Sequence, residues 1–288
     1  MDLDNDGNND LLSGSYSRMS QPMAGLFQVL WGTPDGSFKE AAVLEGTDGE
    51  PLIIPADSDS ILDKICTRPM AVDWDADGDL DLVVGNFAGS FYVFVGEGDG
   101  KFSPEPKRIE TDDGPLKIQG AHSDPFPVDW DGDGDIDLLS GSSSGGVQWA
   151  ENVAGEGQEP NFHTFVELIQ PGRPVQDGER LNEEDLTGPM SSTRVWVDDV
   201  NEDGKLDVLV GDSVMLVAVP EGVSQEDFEK KQAEWQENVS KISEEYAAAA
   251  GDQEKLQEVN EKLQDLYAQR SEFIAEDRTG FVWLYLRK

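Results

Sequence analysis

The 288-residue chain has one cysteine, two histidines and only 21 basic residues against 60 acidic ones. With Cys66 alone, no internal disulfide can form. His122 and His163 are too few for a zinc or transition-metal centre of the usual His/Cys type. No run of about 18 apolar residues occurs, so no segment is a candidate membrane-spanning helix. The formal net charge of −39 argues against nucleic acid and against anionic membranes as partners. Nucleophile-elbow chemistry is missing as well. His122, Ser123 and Asp124 adjoin one another, but adjacent side chains rarely converge on one substrate. Asp112-Asp113 and Glu183-Glu184-Asp185 read as solvated loop charges rather than a glycosidase pair. The chain is therefore expected to be non-catalytic. What it does contain is 37% hydrophobic residues, enough at this length to bury a real core.

Its acidic residues are not spread evenly. Four times a loop of the form D-x-[DN]-x-D-G-x-x-D runs straight into a short apolar segment ending in Gly, starting at Asp2, Asp73, Asp129 and Asp199. Oxygen ligands at positions 1, 3 and 5 of a tight loop can converge on one hard cation. A Gly at position 6 allows the turn, the position 7 carbonyl adds a ligand, and Asp at position 9 closes the cage. The pattern assigns calcium to four sites. They are Asp2, Asp4, Asp6, Asn8 and Asp10; Asp73, Asp75, Asp77, Asp79 and Asp81; Asp129, Asp131, Asp133, Asp135 and Asp137; and Asp199, Asn201, Asp203, Lys205 and Asp207. Position 12, where an EF-hand carries a bidentate Glu, holds Ser13, Val84, Ser140 and Val210, so these are not EF-hands. Asn201 replaces a carboxylate, and the Asp199 site is expected to be the weakest.

The repeat extends beyond the loops, whose first residues lie 71, 56 and 70 positions apart. A Pro-containing lead-in precedes three of them, at Arg68 to Val72, Asp124 to Val128 and Gly188 to Val197. Behind the loop come an inner strand, a Gly-led aromatic strand (from Gly25, Gly89 and Gly145) and a turn to Phe38, Phe102 or Phe162 before a fourth strand. Four short strands per unit, repeated radially, is the pattern of a propeller blade. A loop closing at position 9 and entering an alternating strand resembles the calcium loop of FG-GAP (VCBS-type) repeats, the blades of integrin α-subunits and of many bacterial secreted proteins. The resemblance implies an all-β, calcium-binding β-propeller of about four blades.

Both ends of the chain bear on that reading. The first loop has no lead-in strand before it, and Gly280 to Tyr285 matches a third strand with no fourth behind it. The expectation is an upstream segment that supplies both. Within the fourth unit, Ser224 to Glu276 has a different character. Ser224 and Asp227 suggest an N-terminal cap. Phe228, Trp235, Val239, Ile242 and Tyr246, then Leu256, Val259, Leu263, Leu266 and Phe273, follow 3-4 spacing on either side of Gly251-Asp252. This predicts an antiparallel helical hairpin of two helices of about 24 residues, each about 36 Å long. The domain reading is residues 1–222 as propeller, 223–278 as hairpin and 279–288 as a returning strand. Arg270, at a seam position, fits a buried interface poorly.

Function follows as expectation. Low-affinity calcium loops suit compartments where calcium is millimolar, outside the cytoplasm. The chain is expected to be secreted, periplasmic or at the cell surface, and to recognise a protein or polysaccharide ligand. Alternatives are a propeller-based enzyme on extracellular polysaccharide and a structural component that self-associates through the hairpin. Trp31, Trp74, Trp130, Trp149 and Trp283 recur at equivalent positions and are expected in the core between blades. Glu45–Thr67 and Pro171–Ser192 are the candidate recognition segments.

Overall fold

The computed structural model describes residues 1–18, 23–54, 60–155, 157–176, 179–249 and 252–288. They form two units, Met1–Gly172 with Gly188–Ser213 and Phe281–Lys288, and Arg173–Thr187 with Val214–Gly280. The chain is mostly β, with several antiparallel sheets and two helices.

Among the described residues, four main sheets and one short ribbon build the first unit. The first orders β1 (Leu11–Gly14), β2 (Phe27–Leu30) and β3 (Ala42–Val43), starting directly at the strand behind the loop. The second is complete, with β4 (Arg68–Val72), β5 (Asp81–Gly85), β6 (Phe91–Phe94) and β7 (Lys107–Arg108). A ribbon of β8 (Glu110–Thr111) and β9 (Gly114–Pro115) follows. The third sheet repeats the order with β10 (Asp124–Val128), β11 (Asp137–Gly141), β12 (Val147–Ala150) and β13 (Val166–Ile169). In the fourth, β14 (Ser191–Asp198) pairs with the start of β15 (Asp207–Ala218). β16 (Ala275–Thr279) lies in the second unit, and β17 (Val282–Tyr285) pairs with β15 from Val208 to Gly211. Phe38, Phe102 and Phe162 each bridge the second residue past β2, β6 and β12, at Gly32, Gly96 and Asn152.

Strand alternation explains how these sheets stack. On β5, Leu82 and Val84 face Phe27, Val29 and Phe94, whereas Val83 faces Phe91, Leu138 and Phe165. On β11, Leu138 and Leu139 likewise divide between successive cores, the second holding Phe126, Val195 and Val210. Every residue of β5 and β11 is buried, so both faces of these two strands are covered, including the polar Asp81, Asp137 and Ser140.

A repeated clasp joins successive sheets. The hydroxyls of Thr67, Ser123 and Thr193 accept from the backbone N–H of Ser15, Asn86 and Ser142 at 3.1, 2.8 and 2.8 Å. The same residues' N–H groups donate to the carbonyls of Ser15, Asn86 and Ser142 at 3.1, 3.0 and 2.9 Å. All three side chains are buried. Each follows a non-glycine residue in the left-handed region, namely Cys66, His122 and Ser192. Beside each clasp, the Gly ending the previous inner strand (Gly14, Gly85, Gly141) lies against the partner's carbonyl so closely that a Cβ would overlap it.

The second unit contains a two-stranded ribbon and the helices α1 (Gln225–Ala248) and α2 (Gln253–Arg270). The ribbon pairs Val214 to Ala218 of β15 with Ala275 to Thr279 of β16. Trp235 meets Leu266, and Glu245 meets Lys262, so the helices are antiparallel. Ser224 caps α1 by accepting from Asp227 N–H at 3.1 Å, and Asp252 caps α2 by accepting from Lys255 N–H at 3.3 Å. α2 is shorter than expected, at 18 residues. The expected turn residue Gly251 lies outside the described residues. Phe228, Trp235, Leu266 and Phe273 share a core with Val239 and Ile242, whereas Tyr246 is exposed. Arg270 is buried: its guanidinium stacks over Trp235 and pairs with Glu276 at 2.7 Å. Burial against an aromatic face and a carboxylate is how a seam position accommodates a charge.

Candidate metal centres

All four acidic loops adopt one conformation. Position 6 is Gly7, Gly78, Gly134 and Gly204, with φ of +88, +97, +97 and +84°. Only glycine takes that region without strain. Position 4 is left-handed too, at Asn5, Ala76, Gly132 and Glu202, which the sequence pattern did not reveal. The position 6 N–H donates to the first aspartate in every loop, at 2.9 Å on Asp2, 3.2 Å on Asp73, 3.1 Å on Asp129 and 2.8 Å on Asp199. The position 7 N–H of Asn8, Asp79, Asp135 and Lys205 donates to the fifth-position carboxylates of Asp6, Asp77, Asp133 and Asp203. These bonds hold the carboxylates on one side of the turn.

Carboxylate oxygens converge there. Those of Asp2, Asp4 and Asp6 lie within 4.8 Å of one another, as do those of Asp73, Asp75 and Asp81, and of Asp129, Asp131 and Asp133. In the fourth loop the amide of Asn201 stands between Asp199 and Asp203, and its oxygen accepts from Asp203 N–H at 2.9 Å. Asp73 Oδ1 and Asp135 Oδ1 are buried without a hydrogen-bond partner. A buried carboxylate oxygen left unpaired is costly, and a cation would complete it. Burial, reinforced by the neighbouring loop carboxylates, raises the carboxyls of Asp4, Asp131 and Asp135 above the usual range. The donor set is all oxygen, as a hard divalent cation requires. These clusters can hold a metal.

Position 9 does more than the sequence implied. Asp10, Asp81, Asp137 and Asp207 are all buried. One oxygen of each accepts from the position 2 N–H, of Leu3, Trp74, Trp130 and Val200, at 2.7 to 3.2 Å. The other accepts from the backbone beyond the third strand, at Gly32, Gly96, Asn152 and Arg287, at 2.6 to 2.9 Å. This residue therefore ties loop to sheet and still has lone pairs to offer an ion. Burial pushes Asp81 up, and Asp137 up to about 6, against the pull of these N–H donors.

The other singled-out residues are committed elsewhere. Ser123 is wholly buried in its clasp, donating to Ser90 O at 2.8 Å, and His122 sits edge-on to Phe87. His163 is exposed beside Glu151. The five tryptophans pack in or against the cores between sheets, with Trp74 stacked on Phe162.

The FG-GAP-like repeat family matches residues 73–140, from the second acidic loop through the third inner strand. The chain carries an FG-GAP-like repeat. The match covers β5 to β7 of the second sheet, leaving out β4, and continues through β10 and the third loop into β11. The loops at Asp2 and Asp199, outside the matched residues, share the FG-GAP-like loop's hydrogen bonds at positions 1, 5, 6, 7 and 9. No curated protein matches the chain. A solved structure of a lectin from Agrocybe aegerita, described as specifically recognising non-reducing terminal N-acetylglucosamine, aligns at 17% identity with a TM-score of 0.34. The alignment covers 72% of this chain and 49% of the lectin chain, so the chain spans about half the length of the structure it matches.

Proposed function

We propose that the chain is a calcium-loaded β-propeller whose four stacked sheets are its blades, and that it acts outside the cytoplasm as a binding module rather than a catalyst. The observation that carries the metal is the convergence of three carboxylates at each of three loops, with Asp73 Oδ1 buried and unpaired. Calcium suits a flexible, all-oxygen loop better than magnesium, which demands tight octahedral geometry. Each ion would close the turn that leads into an inner strand, so its role is structural. Millimolar extracellular calcium would keep such loops filled.

The binding role is supported by a cavity of about 550 Å³ beside the second loop, lined in part by Trp74, Asp75, Arg108, Glu110, Glu159 and Phe162. It combines an aromatic wall with hydrogen-bonding groups of both charges, suited to a polar ligand such as a saccharide or a peptide. The test is a glycan and peptide panel on the calcium-loaded chain, followed by product analysis. Saturable binding without turnover supports the module. Release of shortened polysaccharide would replace it with an enzyme, and no binding at all would leave a structural role.

A further inference from the structure

On three lead-in strands the register places Arg68 opposite Gly85, Asp124 opposite Gly141, and Arg194 opposite Gly211. These three charges occupy one structural position in three successive sheets. Arg194 Nε lies 3.5 Å from Asp124 Oδ1, and the second Asp124 oxygen accepts from Val195 N–H at 3.3 Å. Arg68 has no carboxylate partner among the described residues; its Nη1 donates to His122 O at 2.8 Å. One carboxylate thus faces two guanidinium groups, and one positive charge remains. Burial, then repulsion from Arg194, pulls the Arg68 guanidinium down to about 10, against the opposing attraction of Asp124.

Both arginines line a cavity of about 410 Å³, together with Ser13, Ser15, Tyr16 and Thr67. In a chain of net charge −39, a hydroxyl-lined cavity with surplus positive charge is out of character with the rest of the surface. We infer that this cavity is a carboxylate-binding site, in which Arg68 supplies a forked pair of N–H donors and Arg194 the second charge. The planar guanidinium matches a carboxylate in a way that a lysine does not. The competing role is a purely internal ion cluster that holds the three lead-in strands together.

A carboxylate of this size comes from a uronic sugar or from an acidic side chain. The inference rests on the recognition reading above for those two sources, yet the two fail separately. A chain that binds neutral glycans and ignores carboxylates overturns only the site described here.

The experiment is titration calorimetry on the calcium-loaded full chain with glucuronate and with N-acetylglutamate amide, using glucose and N-acetylglutamine amide as neutral controls. The expected result is saturable one-to-one binding of at least one carboxylate and none of its neutral counterpart. Glucuronate alone would point to an acidic polysaccharide, and the glutamate derivative alone to an acidic peptide. Arg68→Gln should weaken binding at least tenfold. Asp124→Asn removes the internal competitor and should tighten it several-fold, a gain that misfolding cannot imitate. Failure of both carboxylates to bind the unmodified chain, or equal binding by Arg68→Gln, would overturn the site.

Discussion

Gly14 ends the first inner strand directly against the backbone carbonyl of Thr67, where a Cβ would overlap the oxygen. The same approach recurs between Gly85 and Ser123 and between Gly141 and Thr193, whereas Gly211 has open space, its nearest neighbour being Arg194 Cβ at 3.9 Å. These glycines are the contact points at which one sheet docks on the next, and the adjacent hydroxyl clasp satisfies the backbone around them.

An added methyl should therefore have unequal consequences along the repeat. Gly14→Ala, Gly85→Ala and Gly141→Ala should each destabilise by about 1–3 kcal/mol or more, because the obstacle is backbone. Gly211→Ala should stay within about 0.5 kcal/mol. Denaturant unfolding of the four variants checks the contrast, and equal losses would remove the docking role.

Two aspartates of the second loop should separate metal binding from scaffolding. Asp77→Asn leaves the tie between loop and sheet intact and should lower stability in calcium but hardly in chelator. Asp81→Asn disturbs two backbone N–H bonds, at 2.8 and 2.6 Å, and should cost about 2 kcal/mol or more in both conditions. Paired melts of each variant with and without chelator provide the comparison.

In chelator the chain should become more stable as pH falls from 7 to 5. Six carboxyls, of Asp4, Asp81, Asp124, Asp131, Asp135 and Asp137, are raised above their usual range by burial, Asp137 to about 6. Asp137 in the folded chain then takes up a proton at a pH where unfolded aspartates, with pKa about 3.9, remain charged, and the other five act in the same direction, so acidification favours folding. His122, lowered by burial, acts in the opposite direction over the same range, and the carboxyls of Asp35, Glu179, Asp185 and Glu237, held low by hydrogen bonds, oppose the gain at lower pH. In excess calcium the sign should reverse, since protons compete with the ion. Melting temperature against pH in both buffers measures it.

Asn201→Asp should strengthen the fourth loop, giving it the carboxylate that the first three have at this position. Calcium titration should show the Asp199 site filling last in the natural chain and moving toward the others in the variant. Occupation of the Asp199 site first in the natural chain would contradict the ranking.

The sequence revealed what is local. The position 6 glycines, the inner strands from Asp81 and Asp137, the Ser224 cap and the two helical stripes all depend on neighbours within a few residues. Less legible were features set by distant partners. β15 continues past Gly211 to Ala218 because Ala275 to Thr279 pairs with it, more than fifty residues later. Asp10 and its counterparts read as ligands, since nothing in the loop announces the second N–H that each accepts from beyond the third strand. The clasp did leave a signal: Thr67, Ser123 and Thr193 each stand six residues before a loop. A hydroxyl at a fixed offset is easily passed over when the larger pattern is acidic.

The most direct measurement is a thermal melt of the purified chain in millimolar calcium and again in excess chelator. At about 100-fold above its Kd, each filled site adds about 2.7 kcal/mol, so four sites form a large share of a domain's stability. One cooperative transition of the sheet-forming unit that falls by tens of degrees in chelator is the predicted result. A melt indifferent to chelator would mean that the four aspartate loops do not hold ions, and the metal-stapled account would be wrong.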